Sequence, residues 1–84
     1  NGNAFIAYRD AGGANYGEFV IVDSAGNTVK SATAFNSAAT ANISTTTLTN
    51  GNVFIAYQDT GNSNYGTFII YDFAGNYWAI GTQQ

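Results

Sequence analysis

Apolar and polar positions alternate in blocks along the chain, and these blocks predict β-strands. Residues 4–8 and 18–23 are almost wholly apolar and are bounded by Gly and Asn. A short apolar run between turn residues is typical of a strand covered on both faces. Residues 28–35 and 42–49 are more polar, so we expect more exposed strands there. The same kind of succession fills the second half of the chain, at residues 53–58, 67–72 and 77–82.

The second half of the chain repeats the first. Residues 50–59 match residues 1–10 almost identically, and the match continues without a gap at an offset of 49 positions. About 19 of the 35 compared pairs are identical, which is far above chance. We therefore predict four strands in each unit of about 49 residues, with the two inner strands buried on both faces. No stretch has the period of an amphipathic helix.

Gly and Asn mark the predicted connections between these strands. Asn50 and Gly51 separate two β-prone runs, which predicts a hairpin with a type I′ turn. Residues 24–27 predict a tight turn in which Gly26 or Asn27 takes the left-handed conformation. Residues 36–41 predict a small polar connector. The remaining predicted connections are a tight turn at residues 73–76 and Gly/Asn loops at residues 11–17 and 60–66.

The two copies divide the chain unequally. Residues 1–49 hold the first unit, which lacks its first strand and should present an unpaired edge. The last part of that range, residues 36–49, is the connector and the first strand of the second unit. Residues 50–84 hold the remainder of the second unit. We interpret the chain as a piece of a longer protein. The missing contacts are expected to come from another chain or from the rest of the parent.

These features predict an all-β protein of tandem four-stranded antiparallel meanders. Such units resemble the blades of a propeller, which hide both faces against neighbouring blades. The alternative is the same units stacked in a β-rich fibre, where Asn and aromatic side chains repeat at every layer. The chain has no Pro and only two basic residues. It therefore lacks the residues that commonly protect strand edges from pairing with other chains.

Composition narrows the class of partner and activity. Two basic residues against five acidic ones cannot form a phosphate-binding patch, so we expect no nucleic-acid partner. No apolar run approaches the ~20 residues of a membrane-spanning helix, so no membrane insertion is expected. The chain has neither His nor Cys, and no nucleophile–base pair can be built. We predict a non-enzymatic protein without cofactor or metal, extracellular or on a cell surface.

Small size favours association with copies of itself. A chain of 84 residues has a marginal core, and here no disulfide can reinforce it. We therefore predict a structural protein that self-assembles through strand edges and apolar faces into a filament or a multi-subunit assembly. The alternative is a carbohydrate-binding, lectin-like propeller fragment that oligomerises into a ring.

Three sequence segments resemble a known class of repeat. They are TNGNVFIAY at residues 49–57, FIIYD at residues 68–72 and AGN at residues 74–76. They resemble the roughly 50-residue β-repeats of large secreted bacterial surface proteins such as adhesins. The resemblance implies propeller-like or solenoid repeats without catalysis, and it carries over no functional residue.

Repeated carboxylates are the first candidates for chemistry. A pair of carboxylates about 5–9 Å apart with unlike pKa values would suit glycoside hydrolysis. Duplicated acids in equivalent environments are poorly suited to separate acid and base roles. We therefore favour the interpretation that each carboxylate ends a strand and accepts backbone N–H groups in the next turn. The residues concerned are Asp10, Asp59, Asp23 and Asp72.

Two loops carry the candidate ligand residues. An aromatic ring beside amide and carboxylate groups could hold a sugar, and the alternative is that the tyrosines pack as lids over their own loops. The loop at residues 59–64 also faintly resembles an oxygen-ligand calcium loop, but its counterpart has lost most of the oxygens. The candidate ligand residues are Asp10, Asn15 and Tyr16 in the first copy and Asp59, Asn64 and Tyr65 in the second.

Phe73 and Trp78 break the repeat. They replace Ser24 and Val29, which makes the end of the second copy more apolar than the end of the first. We take them as candidates for an assembly interface with another chain, and packing within a single subunit is the competing interpretation.

Overall fold

The computed structural model describes residues 2–83, and the side chains of residues 2–81, as seven antiparallel β-strands. The strands are β1 (Ala4–Asp10), β2 (Tyr16–Val22), β3 (Thr28–Ala39), β4 (Ala41–Thr47), β5 (Val53–Asp59), β6 (Tyr65–Tyr71) and β7 (Tyr77–Gln83). The first sheet has the order β1-β2-β3 and the second sheet the order β4-β5-β6-β7. The prediction of an all-β chain is confirmed. None of the described residues lies in a helix, and this part of the chain therefore has no helical segment able to cross a membrane.

Strands β1 and β2 pair in the same register as β5 and β6. Phe5 lies opposite Ile21 in the first pair, and Phe54 lies opposite Ile70 in the second. Neither pair has a register shift. Residues 49 positions apart therefore take equivalent places in the two pairs of strands, and the same side chains can be compared in two surroundings.

The link between the two sheets is shorter than the sequence predicts. Strand β3 continues to Ala39, so the predicted connector at residues 36–41 is reduced to Thr40. Register shifts near Gly17 let the long strand follow β2 to its end, where Ala39 lies opposite Tyr16. Bulges of this kind bend a strand and increase its twist. The polar residues Asn36 and Ser37 are therefore compatible with strand pairing at this place.

The hairpin between β4 and β5 is confirmed, but the predicted type I′ turn is wrong. Gly51 has a φ of +89°, whereas Asn50 does not take a positive φ. The N–H of Gly51 donates to the Leu48 carbonyl at 2.9 Å, and the Asn50 side chain accepts the N–H of Asn52 at 3.0 Å. This is a type I turn closed by a left-handed Gly. The matching turn at residues 1–3 includes Asn1, which lies outside the described residues.

The two sheets pack face to face around an aromatic core. The ring of Phe5 stacks on Phe19 with centroids 4.6 Å apart, and Phe19 contacts Tyr71 of the other sheet at the same distance. Phe35 meets Tyr57 edge-on across the sheets at 5.1 Å. Full burial of each large apolar side chain contributes about 1.5–3 kcal/mol. The buried core residues are Phe19, Ile21, Phe35, Val53, Ile55, Tyr57, Ile69 and Tyr71.

Within one chain, each sheet is buried on one face only. Burial alternates along β2, β5 and β6, so the prediction that the apolar strands are covered on both faces is not met inside a single subunit. The reason is that each sheet has only one neighbouring sheet. The outer face of the second sheet, called the Phe54 face, consists of Phe54, Ala56, Phe68 and Ile70. The outer face of the first sheet, called the Ile6 face, consists of Ala4, Ile6, Tyr8, Glu18, Val20 and Val22.

The two sheets differ at one edge. Strand β5 is flanked by β4, whereas its counterpart β1 forms the edge of the first sheet. At the opposite side of the second sheet, β7 is an edge strand that exposes Tyr77, Trp78 and Ile80. The chain thus combines two outer faces with apolar side chains and strand edges that remain open within residues 2–83.

Candidate functional site

The loops after β1 and β5 share one backbone conformation. In the first, the Asp10 carbonyl accepts the N–H groups of Gly13 and Asn15, both at 3.0 Å. In the second, the Asp59 carbonyl accepts two N–H groups at the same distance, from Asn62 and Asn64. The strand-ending aspartates therefore organise their loops mainly through the main-chain carbonyl. This differs from the expected carboxylate contacts to backbone N–H groups.

Two successive residues in each loop have positive φ. The values are 58° and 62° at Ala14 and Asn15, and 61° at both Ser63 and Asn64. Asn tolerates this conformation, but a residue such as Ala does so at a cost. The candidate ligand residues Asn15 and Asn64 are therefore explained in part by backbone geometry, and their side chains are exposed.

The end of β3 and Thr40 join the two loops. The N–H of Thr40 donates to the Asn15 carbonyl at 2.9 Å, and the N–H of Gly61 donates to the Ala39 carbonyl at 2.9 Å. Both loops therefore lie at the same end of the molecule, one on either side of the link. The Thr40 side chain is only 1% exposed, so the link itself is part of the interior.

Asp59 is held in a buried polar network. Its Oδ1 accepts the Nδ2 group of Asn36 at 3.1 Å, and the same amide donates to Thr40 Oγ1 at 2.8 Å. The Thr40 hydroxyl in turn donates to the Ala38 carbonyl at 2.8 Å. A buried carboxylate with such partners fixes the loop to the end of β3. This network was missed in the sequence because Asn36 and Asp59 lie in different strands of different sheets.

Asp10 has different surroundings from Asp59. Its carboxylate lies over Gly13, where an added Cβ would come within 2.8 Å of Asp10 Oδ2. By strand alternation, Asp10 and Tyr16 belong to the outer side of the first sheet, whereas Asp59 and Tyr65 belong to the inner side of the second. Both tyrosines are half-buried. The structure thus places the six candidate ligand residues in two sets of three and does not bring them into one pocket.

Asp23 and Asp72 perform the structural role expected of them. Asp72 Oδ1 accepts the N–H groups of Ala74 and Asn76, both at 2.9 Å, and Asp23 makes the matching contacts in its own turn. The hydrogen bond from the Asn76 backbone is the largest effect that holds the pKa of Asp72 below its usual value, and the backbone of Asn27 does the same for the pKa of Asp23. Both groups therefore favour the ionised form at neutral pH and are poorly placed to donate a proton.

The two residues proposed for an assembly interface lie in different surroundings. Phe73 packs against the core, with its ring edge-on to Phe5 at 6.1 Å. Trp78 is 59% exposed, and its indole N–H donates to Asp72 Oδ2 at 3.3 Å. Packing within the subunit thus accounts for Phe73, and the ring of Trp78 faces outward on β7. A role for either residue in assembly stays a prediction.

The Phe54 face carries an apolar depression that the sequence analysis did not single out. The rings of Phe54 and Phe68 stack with centroids 5.0 Å apart and planes 14° apart. The Phe68 ring also lies over Gly81 of β7, where an added Cβ would fall 2.4 Å from ring atoms. The depression has a volume of about 270 Å³, and its lining residues are Phe54, Ala56, Tyr57, Gly66, Thr67 and Phe68. The sequence signal that could have indicated this depression is that Phe54 and Phe68 repeat Phe5 and Phe19 at an offset of 49 positions.

The inner tyrosines are packing residues. Burial is the main cause that raises the pKa of Tyr57 to about 12, with the nearby Asp59 charge a smaller one. Burial also raises the pKa of Tyr71. Neither phenol is disposed to lose its proton at neutral pH. Among the described residues, no three acidic, His or Cys side chains lie close enough together to hold a metal ion.

A second depression lies near the turn between β4 and β5. It has a volume of about 380 Å³ and is lined by Asn3, Thr47, Gly51 and Phe73. Of these residues only Thr47 lies in a strand, and the lining contains no carboxylate or basic group.

No protein-family description, curated protein or solved structure matches this chain.

Proposed function

We propose that this chain is a non-enzymatic structural protein that assembles with copies of itself, through apolar sheet faces and strand edges, into a filament or a closed multi-subunit ring. The observation that carries the proposal is the Phe54 face. It presents the same stacked pair of rings that the first sheet buries in its core. The pair of rings that is packed between the sheets in the first copy is only partly buried in the second.

Apolar surface on a small protein supports association. Contiguous apolar patches on a soluble chain commonly mark interaction sites. Here such a patch occurs on a chain of 84 residues that has no disulfide to reinforce its core. Burying the Phe54 face against another copy would stabilise both the contact and the fold.

Strand β7 adds a second apolar surface. Tyr77, Trp78 and Ile80 are each more than half exposed, at 57%, 59% and 54%. These residues lie on an edge strand. Pro and Lys on an edge strand commonly prevent it from pairing with another chain, but this chain has no Pro and a single Lys. Pairing at this edge or at β1 would complement packing of the faces.

The closed ring and the filament differ in how the sheets of one copy are arranged against those of the next. Blade-like meanders around a closed ring and meanders stacked along a fibre would both cover the outer faces. The resemblance to repeats of secreted surface proteins supports an extracellular or cell-surface setting. Low charge and abundant Asn, Thr, Ser and Gly are compatible with that setting.

Sedimentation velocity over a wide range of concentration tests the proposal. We expect species several times heavier than the 8.8 kDa chain, with a share that rises with concentration. The change Phe54→Ser should shift the distribution to the monomer. The control Val29→Ser removes an apolar side chain of β3 that is 50% exposed and lies outside the Phe54 face, and it should leave the distribution unchanged. A single monomeric species at all concentrations would refute the proposal.

Carbohydrate binding is a second candidate function. The observation that favours it is the arrangement of two loops of equal conformation at one end of the molecule, with exposed Asn15 and Asn64 beside half-buried Tyr16 and Tyr65. Aromatic rings next to amide groups are a common way to hold a sugar. Binding on a glycan array that is lost with Tyr65→Ala would support this function. Absence of binding to any glycan would remove it.

A further inference from the structure

The contact between the two sheets supplies a pattern for the contact between copies. We infer that the Phe54 face of one copy packs on the Ile6 face of the next, so that copies join head to tail. This inference rests on the proposed self-assembly, and it specifies the partner surface. It makes the sheet-to-sheet contact within the chain the template for the contact between chains.

The Phe54 face has the same residues as the part of the inner face of the first sheet that β1 and β2 contribute. The ring stack is reproduced as well, with centroids 4.6 Å apart in the buried pair and 5.0 Å apart in the outer pair. The planes of the rings are 11° and 14° apart in the two pairs. The inner residues Phe5, Ala7, Phe19 and Ile21 correspond to Phe54, Ala56, Phe68 and Ile70, all four identical.

The Ile6 face corresponds to the surface that the buried ring stack already contacts. That surface is the inner face of the second sheet, where Ile55 and Tyr57 lie in the core. Their counterparts on the Ile6 face are Ile6 and Tyr8, which are the same residue types. The other positions are smaller or more polar on the Ile6 face: Ala4 for Val53, Glu18 for Thr67, Val20 for Ile69 and Val22 for Tyr71.

A contact of this kind joins two different surfaces, so it is not self-complementary. Each copy that binds through its Phe54 face leaves its own Ile6 face open for another copy. Contacts of this type continue until a ring closes, or without limit in a filament. A face-to-face dimer through two Phe54 faces would instead end after two copies. The inner sheet contact shows the Phe stack against Ile, Tyr and Val side chains, and this favours the head-to-tail order.

Glu18 makes the contact between copies weaker than the one inside the chain. Its counterpart Thr67 is 8% exposed, so head-to-tail packing would largely bury the Glu18 carboxylate. Among the residues that the structure describes, that carboxylate accepts one hydrogen bond, from the Tyr8 hydroxyl at 3.1 Å. Burial of a partly satisfied charge opposes association. The change Glu18→Thr should therefore lower the concentration at which half of the chains assemble by about tenfold or more.

Two blocking variants and their mixture test the order of the contact. Phe54→Glu blocks one face and leaves the Ile6 face intact, and Ile6→Glu does the reverse. In a head-to-tail contact, each variant alone is monomeric. An equal mixture forms a one-to-one heterodimer and no larger species, because each copy has one functional face. Light scattering coupled to size-exclusion chromatography measures these masses.

The outcomes separate this inference from the function on which it rests. If the wild-type chain assembles and Ile6→Glu assembles equally well, the Ile6 face is not the partner surface; head-to-tail packing is then refuted while self-assembly stands. If the mixture stays monomeric, the inference is also refuted. If the wild-type chain itself never assembles, the proposed function fails. Far-ultraviolet circular dichroism checks that each variant is folded. If Phe54→Glu or Ile6→Glu is unfolded, Ala56→Lys blocks the Phe54 face and Val20→Lys blocks the Ile6 face instead.

Discussion

Phe5 and Phe54 hold the same place in their strands, yet the Phe5 ring lies between the two sheets and the Phe54 ring lies on an outer face. Phe5 contacts Phe19, Tyr71 and Phe73. Phe54 contacts only Phe68 among the described aromatic rings. The two positions therefore offer a matched comparison of one side chain in two surroundings.

Truncation at these two positions should affect the stability of the monomer unequally. Phe5→Ala should lower the free energy of unfolding by about 2–4 kcal/mol, because it leaves a cavity between the sheets. Phe54→Ala should lower it by about 1 kcal/mol or less, because its ring is covered on one side only. Urea unfolding at a concentration where the chain is monomeric measures both. Equal losses would contradict the assignment of Phe54 to an outer face.

Gly17 is required by the ring that covers it. A Cβ at Gly17 would lie 2.5 Å from Cζ of Phe35, which is itself held against Tyr57. Gly17→Ala should therefore cost about 1–3 kcal/mol of stability through overpacking. Thermal and urea unfolding measure the loss. Gly12→Ala is the control, since its Cβ would meet only Asp10 Oδ1 at 3.7 Å, and it should change stability by less than about 0.5 kcal/mol.

Ala14 is a position where a smaller residue should stabilise the chain. Its φ of 58° is unfavourable for an L-residue with a Cβ, and Gly adopts this conformation without that cost. Ala14→Gly should raise the free energy of unfolding by about 0.5–1 kcal/mol, after allowance for the greater freedom of Gly in the unfolded chain. Ala11→Gly, in the same loop but without a positive φ, should be neutral or destabilising. A loss of stability with Ala14→Gly would contradict the loop geometry.

The turn aspartates should make stability depend on pH in the acid range. The pKa of Asp72 is lowered from the usual 3.8 in the folded chain, mainly by the backbone N–H of Asn76. The folded state therefore binds this proton more weakly than the unfolded state. The resulting stabilisation is present above pH 3.8 and is lost as the pH falls through the lower folded value. Urea unfolding between neutral pH and pH 3 should show this decline.

Replacing the carboxyl group of Asp72 or Asp23 by an amide measures how much that group contributes to the loss of stability at acid pH. Asp72→Asn cannot titrate, so its stability should vary less with pH than that of the wild-type chain. Asp23→Asn should act in the same direction, because the pKa of Asp23 is lowered by the equivalent hydrogen bond from Asn27. An unchanged slope in both variants would show that these carboxylates do not couple to folding.

The strands and most turns could be predicted from the sequence because their signals are local. Apolar runs bounded by Gly and Asn located the strands, and Asp23 was correctly assigned to its turn. Gly51 was placed in a hairpin, but the turn type depends on the φ of Asn50, which the dipeptide alone does not determine. The identity of a turn residue constrains its conformation without fixing it.

The candidate site could not be predicted to the same extent because its contacts are distant in the chain. The Asn36–Asp59 hydrogen bond joins residues of β3 and β5, and it depends on the continuation of β3 beyond residue 35. The position of Phe54 on an outer face could not be predicted for a different reason. Its strand is apolar at nearly every position, so the sequence predicts that both faces of the strand are covered. It does not show whether a sheet of the same chain or of another copy covers each face.

The stacking of two sheets in one chain has a consequence for any fibre built by extending it. Neighbouring strands in a sheet lie about 4.7–4.9 Å apart, and packed sheets lie about 10 Å apart. In a head-to-tail stack the larger spacing runs along the fibre and the smaller one across it. Amyloid has the reverse arrangement, with the strand spacing along the fibre axis. X-ray diffraction from aligned fibres of this protein should therefore place the ~10 Å reflection on the meridian, the direction in which amyloid shows its strand repeat.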